Sequence, residues 1–187
     1  MRLAPSRIVL LALLGGVVGP IGDHGHVVSG TTRYLERGGP FVWDSALWFI
    51  ALVAAATVAT AELRLRLAPA RAGGRSADGI AAVALVAGVY AVTALVHDAP
   101  LGPATTLIVC LGALTWVALG ADPPAAWCGL AAAIGGTAVE AGLVAAGVFA
   151  YDDRIDTLAG VAPWLPALYF AFGCSAARLG ELLSGRR

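Results

Sequence analysis

Residues 125–150 read AAWCGLAAAIGGTAVEAGLVAAGVFA, a run of 26 with one charge, Glu140. A helix crosses a bilayer with roughly 17–25 apolar residues. This run is therefore long enough to span, and its single carboxyl falls near the middle. Similar stretches lie at Ile8–Ile21, Phe41–Ala61, Ile80–Val96, Leu101–Gly120 and Leu158–Leu179. Only the first is clearly short.

The gaps between the runs carry charge unevenly. Counted alternately, one side collects Arg2, Arg7, Arg64, Arg66, Arg71, Arg75, Arg178, Arg186 and Arg187, and the other only Arg33, Arg37 and Arg154. Loops rich in positive charge stay in the cytoplasm. The expected fold is all-α: a polytopic membrane protein of six transmembrane helices with both termini cytoplasmic.

Composition agrees. Hydrophobic residues make up 59%, charged residues 13%, and mean hydropathy is +0.82, whereas soluble domains carry about 25% charged residues. Within 187 residues six spans leave only short loops, so residues 1–187 read as one transmembrane domain. The formal charge is zero and there is no basic block for nucleic acid. All basic residues are arginine; lysine, asparagine and glutamine do not occur. That bias reads as a GC-rich bacterial source, which would place the protein in a bacterial plasma (inner) membrane.

Cys110, Cys128 and Cys174 are odd in number and widely spaced, which argues against a disulfide framework or a thiolate metal site. The start, Met1 to Arg7 followed by an apolar run, resembles a signal peptide. It reads as a retained helix, since no small-x-small cleavage site follows. Gly15 and Gly19, four apart, suit close helix packing. After Pro20 the segment Asp23 to Pro40 reads as the longest outside loop. Its Asp23-His24-Gly25-His26 could offer metal ligands if extended, but no further ligand cluster follows, so no metal is expected. Phe41, Trp43 and Trp48 read as an interfacial belt opening helix 2, with Asp44 in its first turn. Arg64 and Arg66 at its far end read as snorkelling to headgroups.

Glu140 is the chemically informative residue. A charged carboxylate at that depth costs about 2.5–3.5 kcal/mol on insertion scales. It is either neutral and hydrogen-bonded to a neighbouring helix, or facing a cavity or ligand. Its helical neighbours include Gly136 and Gly147, a small-residue face. In helix 6, Trp164, Tyr169 and Phe170 supply aromatic bulk, and Gly173, Ala177 and Gly180 form a small stripe at three- and four-residue steps. The stripe takes either another helix or a lipid chain.

The last third carries a resemblance. Gly147-Val148-Phe149-Ala150-Tyr151, an acidic loop, Trp164-Leu165-Pro166, Phe170, Gly173, Gly180 and Leu183 resemble the end of the Insig proteins, six-helix sterol sensors named from insulin-induced genes. Pro20 and Asp23 match the family's Pro-x-x-Asp. Asp98 lies near its functional aspartate, and Trp116 near its tryptophan pair. Departures are Phe149 for tyrosine and Asp122-Pro123-Pro124 for a basic stretch. The resemblance implies an Insig-like bundle and a sensor that holds a lipid in an intramembrane cavity: a sterol, an isoprenoid or a diacylglycerol-like molecule. On this reading Glu140, Gly136, Gly147, Trp164, Tyr169, Phe170, Gly173 and Ala177 are the lipid-binding candidates, and Asp98 is a partner-contact candidate. There is no catalytic residue and no cofactor beyond bound membrane lipid. The expected partner is that lipid, a homo-oligomer is possible, and animal sterol-sensing-domain partners are not expected in a bacterium. The rival readings are a lipid-modifying membrane enzyme using Glu140, and a small transporter.

Overall fold

In a computed structural model of the chain, residues 3–35, 39–71 and 74–184 are described. Arg2, Glu36, Arg37, Arg186 and Arg187, which entered the reading of charge and loops, lie outside the described residues. Among the described residues six helices run in chain order: α1 (Pro5–Ser29), α2 (Leu47–Leu67), α3 (Ser76–Leu95), α4 (Leu101–Ala118), α5 (Pro123–Ala145) and α6 (Leu165–Ser184). Four short strands accompany them: β1 (Thr32–Tyr34), β2 (Phe41–Val42), β3 (Ser45–Ala46) and β4 (Phe149–Tyr151). The first five helices are each long and apolar enough to cross a membrane, and only 22% of each apolar window is buried inside the bundle. Their apolar faces therefore point outward, as lipid contact requires.

The sixth helix is different. α6 packs against α2, α3, α4 and α5, and most of its length is buried. It can carry Arg178 and Glu181 because protein, not lipid, surrounds it.

Helix packing follows the small residues. A Cβ added at Gly15 would run into Thr57 Oγ1, and one at Gly19 would lie 2.8 Å from Val53 Cγ1. Those two glycines let α1 sit directly on α2. The small stripe of α6 is likewise closed by helices: Gly173 faces α5, and Gly180 faces Ala61 of α2.

Several sequence boundaries move. α1 does not stop at Gly19-Pro20 but continues two turns to Ser29. Proline is tolerated inside lipid-embedded helices, although it leaves the Gly16 carbonyl without its helical donor; just past it the Ser45 hydroxyl donates to the Pro20 carbonyl at 3.3 Å. Asp23, His24 and His26 are consequently helical, not an extended loop. Residues 41–46, expected to open α2, form a tiny hairpin, β2 against β3. Asp44 sits in its turn and pairs with His24 at 2.9 Å.

α5 ends at Ala145, five residues before the apolar run does. Gly147 has φ 73°; its N–H meets the Val144 carbonyl at 2.9 Å, and the Val148 N–H meets the Leu143 carbonyl at 3.0 Å. This is a Schellman stop, which needs a left-handed residue and so favours glycine. The chain then reverses into β4, antiparallel to β1 with Thr32 opposite Tyr151 and Tyr34 opposite Phe149.

The two ends of the bundle differ in charge. Arg7, Arg64, Arg66, Arg71, Arg75 and Arg178 gather at one end, and Arg33 and Arg154 at the end capped by the β1–β4 ribbon. At the arginine-rich end Arg64 does not snorkel. It is 1% exposed and donates to Asp122 Oδ2 at 2.7 Å, Glu181 Oε1 at 2.5 Å and the Ala68 carbonyl at 2.9 Å. Arg71 adds a 2.7 Å bond to Glu181 Oε2. A buried guanidinium is tolerated only when its planar fork is filled in this way. The cluster clasps α2, α5 and α6 together.

Candidate functional site

Glu140 sits on α5, one helical turn from the ribbon end, and is 9% exposed. Both of its oxygens are engaged: the Tyr151 hydroxyl donates to Oε2 and the Tyr169 hydroxyl to Oε1. Each donor depends on a glycine. Gly147 turns the chain so that β4 carries Tyr151 back over α5. Gly136, one turn below Glu140, lets the Tyr169 ring lie flat on the helix, since a Cβ there would be 2.6 Å from its Cδ1.

Below Glu140 an apolar cavity of about 310 Å3 opens between α2, α5 and α6. Phe49, Ala56 and Leu63 form the α2 wall, Ala132, Gly136 and Leu143 the α5 wall, and Leu168, Tyr169 and Phe172 the floor. Leu52 and Val139, 41% and 45% exposed, sit at its mouth, so it opens sideways toward the lipid region. Glu140, Tyr90 and Tyr169 are its polar groups near the ribbon end, and Thr60 lies toward the other. The volume fits the size range of small-molecule sites, about 300–1,000 Å3.

The candidates named from sequence divide. Glu140, Gly136 and Tyr169 line the cavity. Gly147 does not; it is the turn that aims Tyr151. Trp164 is fully buried, packed between Tyr151 and His26 at ring distances of 6.3 and 5.7 Å. It supports the ribbon from beneath. Phe170 turns the other way, against Gly129 of α5 and Gly112 of α4. Gly173 lies on the α5 backbone, and Ala177 is fully buried against Cys128 and Ala125. None of these four lines the cavity: Trp164 packs under the ribbon, and Phe170, Gly173 and Ala177 pack helices because α6 is central and presents a different face to each neighbour. Asp98 is at the ribbon end, 63% exposed, bonded to Arg154 at 2.7 Å and His97 at 3.1 Å. In the same loop cluster, hydrogen bonds from Arg154 hold the Asp152 carboxyl below the usual carboxylate range.

The histidines do not form a metal pair. Two residues apart on a helix they point about 200° away from each other: His24 to Asp44, His26 to Thr93 at 2.8 Å. Among the described residues no cluster of three or more metal-ligating side chains occurs.

The α2 wall and Tyr151 were missed from sequence. Glu140 and Tyr151 are 11 residues apart, so on one continuous helix they would share a face but stand about 16 Å apart along it. Only recognition of Gly147 as a helix stop would have joined them. Other polar side chains that the apolar runs offer for a headgroup include Tyr90, Thr93, Thr105, Thr106 and Ser175. Of those five, only Tyr90 reaches this cavity.

A mostly helical bundle with five membrane-length apolar helices and an intramembrane cavity defines a multi-pass membrane protein. No protein-family model matches the chain. It is 52% identical over all 187 residues to an INSIG protein homologue of Mycolicibacterium vanbaalenii, covering 91% of that protein. The crystal structure of a mycobacterial Insig homologue from Mycobacterium vanbaalenii superposes with a TM-score of 0.97 over 100% of this chain and 98% of that one, again at 52% identity. A cross-linked trimer of that protein gives the same TM-score and coverage. The chain belongs to the Insig family, whose members are sterol-sensing membrane proteins.

Proposed function

We propose that this protein is a lipid-binding sensor with no catalytic step, holding a sterol, isoprenoid or diacylglycerol-like lipid in the cavity between α2, α5 and α6. The observation that carries this reading is the cavity itself: about 310 Å3 of nearly all apolar wall, open sideways, ending on the Glu140–Tyr151–Tyr169 cluster. A molecule with an apolar body and a small polar head complements that shape. Glu140→Leu removes the carboxyl but keeps the volume apolar. It is expected to lower the lipid retained after purification by about tenfold, on the scale of one charge-assisted hydrogen bond, while Glu140→Gln retains more. Lipid content measured by mass spectrometry on the three proteins decides. Equal retention by Glu140→Leu and wild type removes Glu140 from the site.

The six helices are proposed to cross a bacterial plasma membrane, with the arginine-rich end in the cytoplasm and the ribbon outside. The start of α1 and the end of α6 then both face inward. Thr157→Cys is expected to react with an impermeant thiol reagent in intact cells and Ser76→Cys only after lysis. Labelling of Ser76→Cys in intact cells reverses the orientation. The trimer of the mycobacterial relative supports a homo-oligomer here, and Asp98, exposed at the ribbon end, is retained as a candidate partner contact.

A further inference from the structure

The β2–β3 hairpin lies outside the cavity, and the conformation of its turn runs against its sequence. Val42 pairs with Ser45, so Trp43 and Asp44 are the two central residues of the turn. Trp43 has φ 55°. Two-residue hairpin turns give that left-handed conformation to glycine, asparagine or aspartate, and a bulky side chain adopts it only under strain. Burial does not offset the strain. Trp43 is 65% exposed, and among the described residues its one ring neighbour is His24, at a tilted 6.0 Å. The turn therefore holds the indole outward, toward something that is not part of the fold.

The level of the hairpin decides what covers it. Ser45 donates to the Pro20 carbonyl and Asp44 pairs with His24, so the hairpin lies beside the Pro20–His24 stretch of α1. From His24 the helix runs on to Ser29, about 7–8 Å further at 1.5 Å per residue. Ile21, Val42, Leu47 and Trp48 are exposed around Trp43. At the same level the polar His24–Asp44 pair is only partly buried. Water would hydrate that pair but leave the apolar side chains bare. Hydrocarbon would cover the apolar side chains but strand the carboxylate. The headgroup layer suits both, and tryptophan, with an apolar ring and one N–H, is a side chain that favours it. α2 begins at Leu47, directly after β3, so this surface continues the lipid-facing side of α2.

We infer that the β2–β3 hairpin is a membrane-surface site, a foot that seats Trp43 in the phospholipid headgroup layer of the leaflet at the ribbon end. The last turn of α1 and the β1–β4 ribbon then stand clear of the hydrocarbon. This rests on the helices crossing a bilayer and not on what fills the cavity. The test reconstitutes the full-length protein in phosphatidylcholine vesicles. These carry a lipid with a nitroxide near its headgroup, a lipid with a nitroxide near the end of its acyl chain, or iodide on both faces. The Trp43 signal is the fluorescence of wild type minus that of Trp43→Phe, which leaves the other tryptophans in place. The shallow nitroxide is expected to quench that signal about twofold or more over the deep one, and iodide to quench it far less than it quenches free tryptophan. Trp43→Gly removes the ring and suits the left-handed turn, so in detergent it is expected to melt no lower than wild type. Iodide quenching equal to that of free tryptophan puts the hairpin in water. A deep nitroxide that quenches as well or better puts it in hydrocarbon. Quenching by neither nitroxide nor iodide means that protein, such as a second copy of this chain, covers the ring. Each of these overturns the inference, as does a lower melting temperature for Trp43→Gly, which would make the ring part of the packing.

Discussion

Arg64→Ala is expected to be the most destabilising single substitution in this bundle, costing about 3–5 kcal/mol. Removing the guanidinium leaves Glu181, itself 1% exposed, and Asp122 buried beside each other without their one fully buried cation; Arg71 bonds Glu181 at 2.7 Å but reaches Asp122 only at 4.0 Å. For a domain this size the loss corresponds to roughly 6–20 °C in melting temperature. The cluster also positions backbone: Asp122 accepts from the Ala125 N–H at 3.1 Å at the start of α5, and Arg71 reaches the Leu119 carbonyl at 3.3 Å. The loops at that end should loosen together. Replacing the charges jointly, with Arg64→Met, Asp122→Asn and Glu181→Leu, should recover part of the loss, since no charge is then left fully buried and unpaired; Arg71 loses both carboxylates but is 32% exposed and can turn to solvent. Thermal denaturation in detergent measures both. An Arg64→Ala protein as stable as wild type would show that the cluster does not hold the helices.

Gly173→Leu is the second large effect. A Cβ at Gly173 would lie 2.6 Å from the Cys128 carbonyl oxygen and 2.7 Å from Gly129 Cα. Those are backbone atoms of α5, which cannot rotate away as a side chain can. Overpacking of this kind costs about 1–3 kcal/mol or more, and leucine is at the upper end. Bound lipid should be lost only as the protein unfolds. Gly135→Leu is the informative contrast. Gly135 is on the cavity wall, and a Cβ there meets nothing within 4 Å. Leucine also favours the helix over glycine by up to about 1 kcal/mol. Gly135→Leu should therefore keep or raise the melting temperature while filling the cavity and displacing lipid. Melting temperature and lipid content on the same preparations separate the two. A Gly173→Leu protein that melts like wild type would refute the close α5–α6 contact.

The sequence was most legible where one physical rule acts alone. Hydrophobic length located all six helices, and the segregation of arginine separated the two ends of the bundle. Glu140 stood out because an ionisable group in an apolar run is expensive. The reading failed where tertiary contacts override local signals. Pro20 looked like a stop, yet α1 runs through it to Ser29, as lipid-embedded helices can. Phe149 to Tyr151 extends an apolar run and so looked helical, whereas Gly147 ends the helix and sends Tyr151 back to Glu140. Arg64 looked like a headgroup anchor because its partners, Asp122 and Glu181, are 58 and 117 residues away. The α6 stripe of small residues could serve a helix or a lipid equally. Only the position of α6 at the centre of the bundle gives those faces to α2 and α5, leaving the cavity to Leu168, Tyr169 and Phe172.

The most direct measurement is native mass spectrometry of the protein purified in mild detergent, with the bound molecule identified after release. The expected result is one neutral, hydroxyl-bearing lipid per chain in wild type, and its loss in Gly135→Leu at unchanged melting temperature. A wild-type chain that carries no lipid, or a lipid whose occupancy Gly135→Leu leaves untouched, would contradict a lipid held between α2, α5 and α6.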